Sequence, residues 1–180
     1  REQLEKGKQV LYLLPEIALT AQIIQRLRVS FGRKVQVYHS KFSEQERVEV
    51  YQAVSEADPE AGMIVLGARS SVFLPFKNLG LVIVDEEHES TFKQFEPAPR
   101  YHARDSALIL GKQNKADVLL GSATPSMESF YNAQQGKYSL VRLSERFGGS
   151  VLPQIEISDL RVDTKKRKMK GLFSAVLVDD

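Results

Sequence analysis

Short unbroken apolar runs alternate along this chain with longer stretches whose apolar residues recur at helical spacing. The runs at 9–14, 35–38, 63–66, 81–84 and 117–120 are rich in Val, Ile and Leu and read as strands, and 138–143 reads as a last one. Between them, Ile17, Leu19, Ile23, Ile24, Leu27 and Phe31 predict a helix over 17–31 that stops at Gly32. Ser43 followed by Glu46 resembles a capping box for a helix to about residue 55, closed by Asp58-Pro59. Residues 101–110 and 127–135 also carry helical spacing, and residues 89–100 carry no clear period. Strand and helix in strict alternation predict an α/β fold, a parallel sheet with helices on both faces. The run Leu81-Val82-Ile83-Val84 is expected to be buried on both faces.

Composition narrows the class. At 180 residues with 42% hydrophobic content, the chain supports one sizeable core. Lys and Arg number 25 against 23 Asp and Glu, so any polyanion site must be local. The absence of Cys excludes disulfides, thiolate catalysis and Cys-held zinc, and fits a reducing cytosol. No apolar run reaches membrane-spanning length. Residues 1–6 read as a helix already under way, so the chain is expected to be a piece trimmed from something longer. Residues 161–170 hold six basic residues against one acidic and read as a solvated linker, the alternative being a DNA-binding arm, with Gly148-Gly149 and Pro153 before them.

Candidate chemistry gathers where strands end. Asp85-Glu86-Glu87-His88 follows the run at 81–84 directly. In open parallel sheets ligands bind at the carboxyl ends of strands. There an Asp can hold Mg²⁺ and the next Glu can orient or deprotonate a water. The alternative is a strand that simply runs out into solvent. His39, His88 and His102 show no metal-ligand spacing, so no protein-held transition metal is expected. No G-x-x-x-x-G-K-[ST] phosphate loop occurs, since Gly7-Lys8 lacks the earlier Gly and is followed by Gln.

Taken together, Pro15-Glu16, Gly67-Ala68-Arg69-Ser70, Asp85-Glu86-Glu87-His88 and Gly121-Ser122-Ala123-Thr124-Pro125 resemble, in order and spacing, the first motor lobe of superfamily 2 helicases. The wording of Pro15 through Thr20, Tyr38-His39-Ser40 and Arg100-Tyr101-His102-Ala103-Arg104-Asp105 is similar to the primosomal replication-restart helicases over roughly residues 1 to 160. Ala68 stands where that family often has Thr, and the loop at 95–99 lacks the Trp of some members. The resemblance implies a RecA-like lobe of P-loop NTPase type, lacking the P-loop itself, over 1–143, and a linker toward a second lobe over 144–180. It implies ATP with Mg²⁺ held at Asp85 and water activated by Glu86, with His88, Ser122, Ala123 and Thr124 linking the nucleotide to DNA. It further implies DNA contacts from Pro15, Glu16, Arg69, Ser70, Phe92, Lys93, Phe95, Arg100, Tyr101 and Arg104. The implied partners are forked and single-stranded DNA, primosome proteins and single-stranded-DNA-binding proteins, in the cytoplasm and away from membranes. The isolated chain is expected to be inactive. A non-catalytic module that binds DNA or protein is the alternative, and a related translocase of the same superfamily is a further rival.

Overall fold

In the computed structural model, the described residues are 1–58, 60–144, 155, 157–167, 169–174 and 177, so Pro59, Gly148, Gly149 and Pro153 lie outside them. Two compact units are distinguished, Arg1–Ser139 and Leu140–Asp180.

The first unit is built on five strands, β1 (Gln9–Leu13), β2 (Val35–Tyr38), β3 (Met63–Gly67), β4 (Leu79–Asp85) and β5 (Asp117–Gly121). All pair in parallel in the order β2-β3-β1-β4-β5. The expected parallel sheet is therefore present, and every strand delivers its carboxyl end to one edge. Helices α1 (Glu2–Glu5), α2 (Ala21–Phe31), α3 (Glu44–Ser55), α4 (Ala103–Asn114) and α5 (Met127–Gln134) complete the unit.

Alternation along each strand divides the core. Leu11, Leu13, Val65, Val82 and Val84 pack with Val50 and Val54 of α3 and with Ala103 and Ala107 of α4. Val10, Leu14, Leu19, Ile64 and Leu66 form the other cluster, with Ile23, Ile24 and Leu27 of α2 half-buried against it. Burying a side chain of this kind is worth about 1.5–3 kcal/mol. One buried polar residue is fully engaged: Gln9 Nε2 donates to the Val54 carbonyl, and its Oε1 accepts from the Lys77 and Asn78 N–H groups.

Three expectations are corrected. The central strand is buried on one face only: Val82 and Val84 are enclosed, whereas Leu81 and Ile83 are half-buried, because none of the residues in α2 on their side is itself fully buried. The helix expected from residue 17 begins at Ala21; before it, Ala18 and Leu19 donate back to the Pro15 carbonyl in a turn that leaves Ile17 exposed. No strand forms at 138–143, where Leu140, Val141 and Leu143 face solvent.

The second unit contains α6 (Leu160–Lys165), N-capped by the Asp159 side chain, and a two-stranded antiparallel ribbon of β6 (Met169–Lys170) and β7 (Phe173–Ser174). Part of the basic segment read as a linker is therefore helical.

Candidate nucleotide and nucleic-acid site

Because the sheet is parallel, the four polar segments singled out at strand ends all emerge at its carboxyl edge. Asp85 lies in register with Gly121, which brings the acidic turn beside the Ser122-Ala123-Thr124 turn. Asp85 Oδ1 accepts from the Glu86 N–H at 3.1 Å, and Oδ2 accepts from the Tyr12 hydroxyl at 2.9 Å. Burial, the bond to Asp85 and its charge push the Tyr12 hydroxyl up to about 12, so it stays a donor.

Glu86 sits in the left-handed region at φ 49°, a conformation that is uncommon for a side chain of this size. Its carboxylate is half-exposed and lies 3.6 Å from His88 Nδ1. The His88 ring is held by two hydroxyls, with Nδ1 2.7 Å from Ser122 Oγ and Nε2 3.4 Å from Thr124 Oγ1. Ser122 Oγ also accepts from the Thr124 N–H. Ala123 is exposed on this turn. The acidic turn and the Ser122–Thr124 turn are thus one hydrogen-bonded assembly.

Glu87 points the other way. It is 1% exposed and collects donors from three residues: the Ser126 N–H at 2.6 Å, the Ser126 and Ser129 hydroxyls at 3.0 and 2.8 Å, and Arg104 Nη1 at 3.2 Å. Burial pushes its carboxyl up, but those donors outweigh burial and hold it below the ordinary carboxylate value. Arg104 is itself 8% exposed and also binds Asp105 and Ser126. It is thus enclosed, whereas the sequence reading placed it against DNA phosphate.

The segment after the acidic turn forms a closed loop. Lys93 bridges His102 in antiparallel fashion, the Gln94 N–H donates to the Tyr101 carbonyl, and Gln94 Nε2 donates to the Pro97 and Pro99 carbonyls. Phe92, expected to stack on bases, is 1% exposed and belongs to the core beneath this loop. Tyr101 lies edge-on to Phe73 with ring centroids 4.7 Å apart, half-buried. Phe95 is 67% exposed. An open groove of about 300 Å³ runs between Glu16, Arg69, Ser90, Thr91, Lys93 and Phe95. Arg69 Nη1 donates to the Lys93 carbonyl, fixing one wall to the loop. Ser70 is exposed, Pro15 is buried, and Arg100 is exposed beside Glu96. Gly67 is dictated by packing: a Cβ there would collide with the buried Ser71.

A lone carboxylate at a strand end fits Mg²⁺, which keeps several waters and takes oxygen ligands from one or two carboxylates and a substrate phosphate. Among the described residues no group of three or more His, Cys, Asp or Glu gathers into a cage for a metal. Sequence reasoning gave Glu87 and Ser126 no role of their own and missed Tyr12 and Ser129. Tyr12 was legible in principle, because it lies near the carboxyl end of the strand that neighbours β4, in register with Ile83 and so close to Asp85.

Comparison with known proteins places this arrangement. A family model described as DEAD/DEAH box helicase matches residues 2–132, and the chain belongs to that family. Within it, the chain is similar to the Replication restart protein PriA of Chlamydia pneumoniae, 45% identical over 96% of this chain and 23% of that protein. It is also similar to the Replication restart protein PriA of Bacillus subtilis, 40% identical over 98% of this chain and 21% of the relative. The chain spans about a quarter of the length of these relatives. Among solved structures, the C-terminal domain of S. cerevisiae Dbp5 overlays with a TM-score of 0.48 at 14% identity, covering 76% of this chain and 74% of that one. Among the described residues no helix is long and apolar enough to cross a membrane.

Proposed function

We propose that this chain is the ATP-binding motor lobe, residues 1–143, of a replication-restart DNA helicase, followed by a linker toward a second lobe. The observation that carries the reading is the assembly of Asp85 and Glu86 with His88, Ser122 and Thr124 at the carboxyl edge, beside a groove lined by Arg69, Lys93 and Phe95. Asp85 would hold a Mg²⁺ ion, which would supply positive charge against the ATP phosphates. Glu86, half-exposed at the turn, orients and deprotonates the attacking water. His88 connects that carboxylate to the Ser122 and Thr124 hydroxyls, so a shift of one turn is felt by the other.

The groove takes single-stranded DNA. Lys93 and Arg69 meet phosphate, and the exposed Phe95 ring gives a base a stacking face worth about 1–3 kcal/mol. Glu16 repels phosphate and limits how the strand lies in the groove. Forked DNA is the substrate, primosome proteins and single-stranded-DNA-binding proteins are the partners, and the cytoplasm is the setting, all proposed from the likeness to the replication restart proteins. The 180 residues contain no phosphate loop of the G-x-x-x-x-G-K-[ST] form, so the isolated chain is proposed to be inactive.

The test is ATP hydrolysis by the full-length protein carrying this sequence, with and without forked DNA. Glu86→Gln is expected to lower turnover by about 10²–10⁴-fold while DNA binding persists. Turnover indifferent to Glu86 would sink the motor reading and favour a lobe that binds without hydrolysis.

A further inference from the structure

The Asp85 carboxylate is held at both oxygens. On Oδ1 the donor is the Glu86 N–H at 3.1 Å, a backbone group that almost any residue at that position would supply. On Oδ2 the donor is the Tyr12 hydroxyl at 2.9 Å, which depends on one side chain of another strand. Strand register explains the reach. β1 and β4 are parallel neighbours with Tyr12 opposite Ile83. Residues two apart on a strand share a face, so Asp85 follows Ile83 on the face that Tyr12 occupies, and a long side chain leaning along its strand spans the interval. On the other flank Asp85 is in register with Gly121, which brings no side chain against it from β5; a Cβ there would lie 3.6 Å from Oδ1. The carboxylate is therefore gripped from the β1 side.

Packing does not call for the hydroxyl. Tyr12 is the one residue of β1 that is not enclosed, and its ring lies half-buried against the core cluster that also takes Ile83. A phenylalanine would cover the same apolar surface. What the phenol supplies beyond that is a donor aimed at the carboxylate. Each carboxylate oxygen accepts more than one hydrogen bond, so a donor on each fixes the plane of the group and still leaves acceptor capacity on both.

We infer that Tyr12 is a positioning residue for the metal site, its hydroxyl holding the Asp85 carboxylate in place to take Mg²⁺ together with the nucleotide. This rests on the motor reading above. Tyr12 acts through Asp85 alone, as the hydrogen-bonding partners of metal-binding carboxylates do.

The experiment uses the full-length protein and a fluorescent, non-hydrolysable ATP analogue, whose affinity is measured by anisotropy in excess Mg²⁺ and again in excess chelator. The ratio of the two affinities reads the contribution of the metal to binding without any turnover. Tyr12→Phe keeps the ring and deletes the hydroxyl. It is expected to lower the ratio by about tenfold, the low end for loss of such a partner, with affinity in chelator unchanged. In an Asp85→Asn background the same change is expected to have no further effect. A Tyr12→Phe protein with the wild-type ratio, one whose affinity falls equally with and without Mg²⁺, or a further loss in the Asp85→Asn background overturns the inference and leaves the motor reading standing. A wild-type protein that does not bind the analogue, or whose binding is indifferent both to Mg²⁺ and to Asp85→Asn, overturns the motor reading itself.

Discussion

At the scale of single residues, the chemistry of the edge depends on which carboxylates are wet and which are dry. Asp85 and Glu86 reach solvent, whereas Glu87, one position on, is enclosed and saturated with donors. Arg104→Met alone would strand that carboxylate without its cation and is expected to destabilise the fold by about 3–5 kcal/mol in urea titration, with the paired Glu87→Gln change recovering most of the loss. Glu87 has a folded-state pKa below its ordinary value of 4.5, so its contribution is complete above that value and disappears as pH falls through the lower folded one. Tyr12 shows the opposite sign. Its folded-state pKa lies above the ordinary 10.0, so its contribution is complete below pH 10 and is lost as pH rises toward about 12. Burial raises the Tyr101 hydroxyl too, so tyrosinate absorbance is expected to show late-titrating residues of which Tyr12→Phe removes one. The acidic turn itself was legible in the sequence, because an apolar run that ends abruptly in carboxylates is a local signal. The roles of Arg104 and Phe92 were not. A cation and an aromatic beside an irregular loop look like a DNA contact, and only the inward stripe of Ala103, Ala107 and Gly111 on α4 hints that this end of the loop faces the core.

At the scale of elements, strands were the most legible feature and their neighbours the least. Five apolar runs became five strands because each is flanked on at least one side by another strand that completes its hydrogen bonding. Residues 138–143 show the same alternation and form no strand, since among the described residues no partner lies alongside. The capping box of α3 is present as expected: Ser43 Oγ accepts from the Glu46 N–H, and Glu46 accepts from the Ser43 N–H. Ser43→Ala is expected to cost about 1 kcal/mol, read from the shift of the urea midpoint. The start of α2 was misplaced by four residues' worth of apolar spacing, because Ile17 and Leu19 fit a helical period while Pro15 to Thr20 fold as tight turns whose carbonyl at Pro15 takes two N–H groups. That turn leaves Glu16 in the groove, where a helix from residue 17 would have drawn the segment onto the sheet.

At the scale of the whole first unit, one direction of travel organises everything. Five strands running the same way collect at a single edge the residues proposed to meet ligand, and the loops there are free to differ in length. The same arrangement governs how the chain reaches its native state. β1, the earliest strand, lies in the middle of the sheet, and its neighbours are β3 and β4, with Gln9 paired to Met63 on one side and Leu79 on the other. No hairpin can nucleate such a sheet, and its central strand has no native partner until β3 arrives, nearly halfway through the unit, and no second one until β4. Refolding of this unit from denaturant is therefore expected to be slow for its size, in the millisecond-to-second range of proteins dominated by distant pairings. A stopped-flow trace complete within microseconds would contradict this. On the ribosome, β1 waits as an exposed apolar strand until β4 emerges, an interval in which a holding chaperone has something to grip.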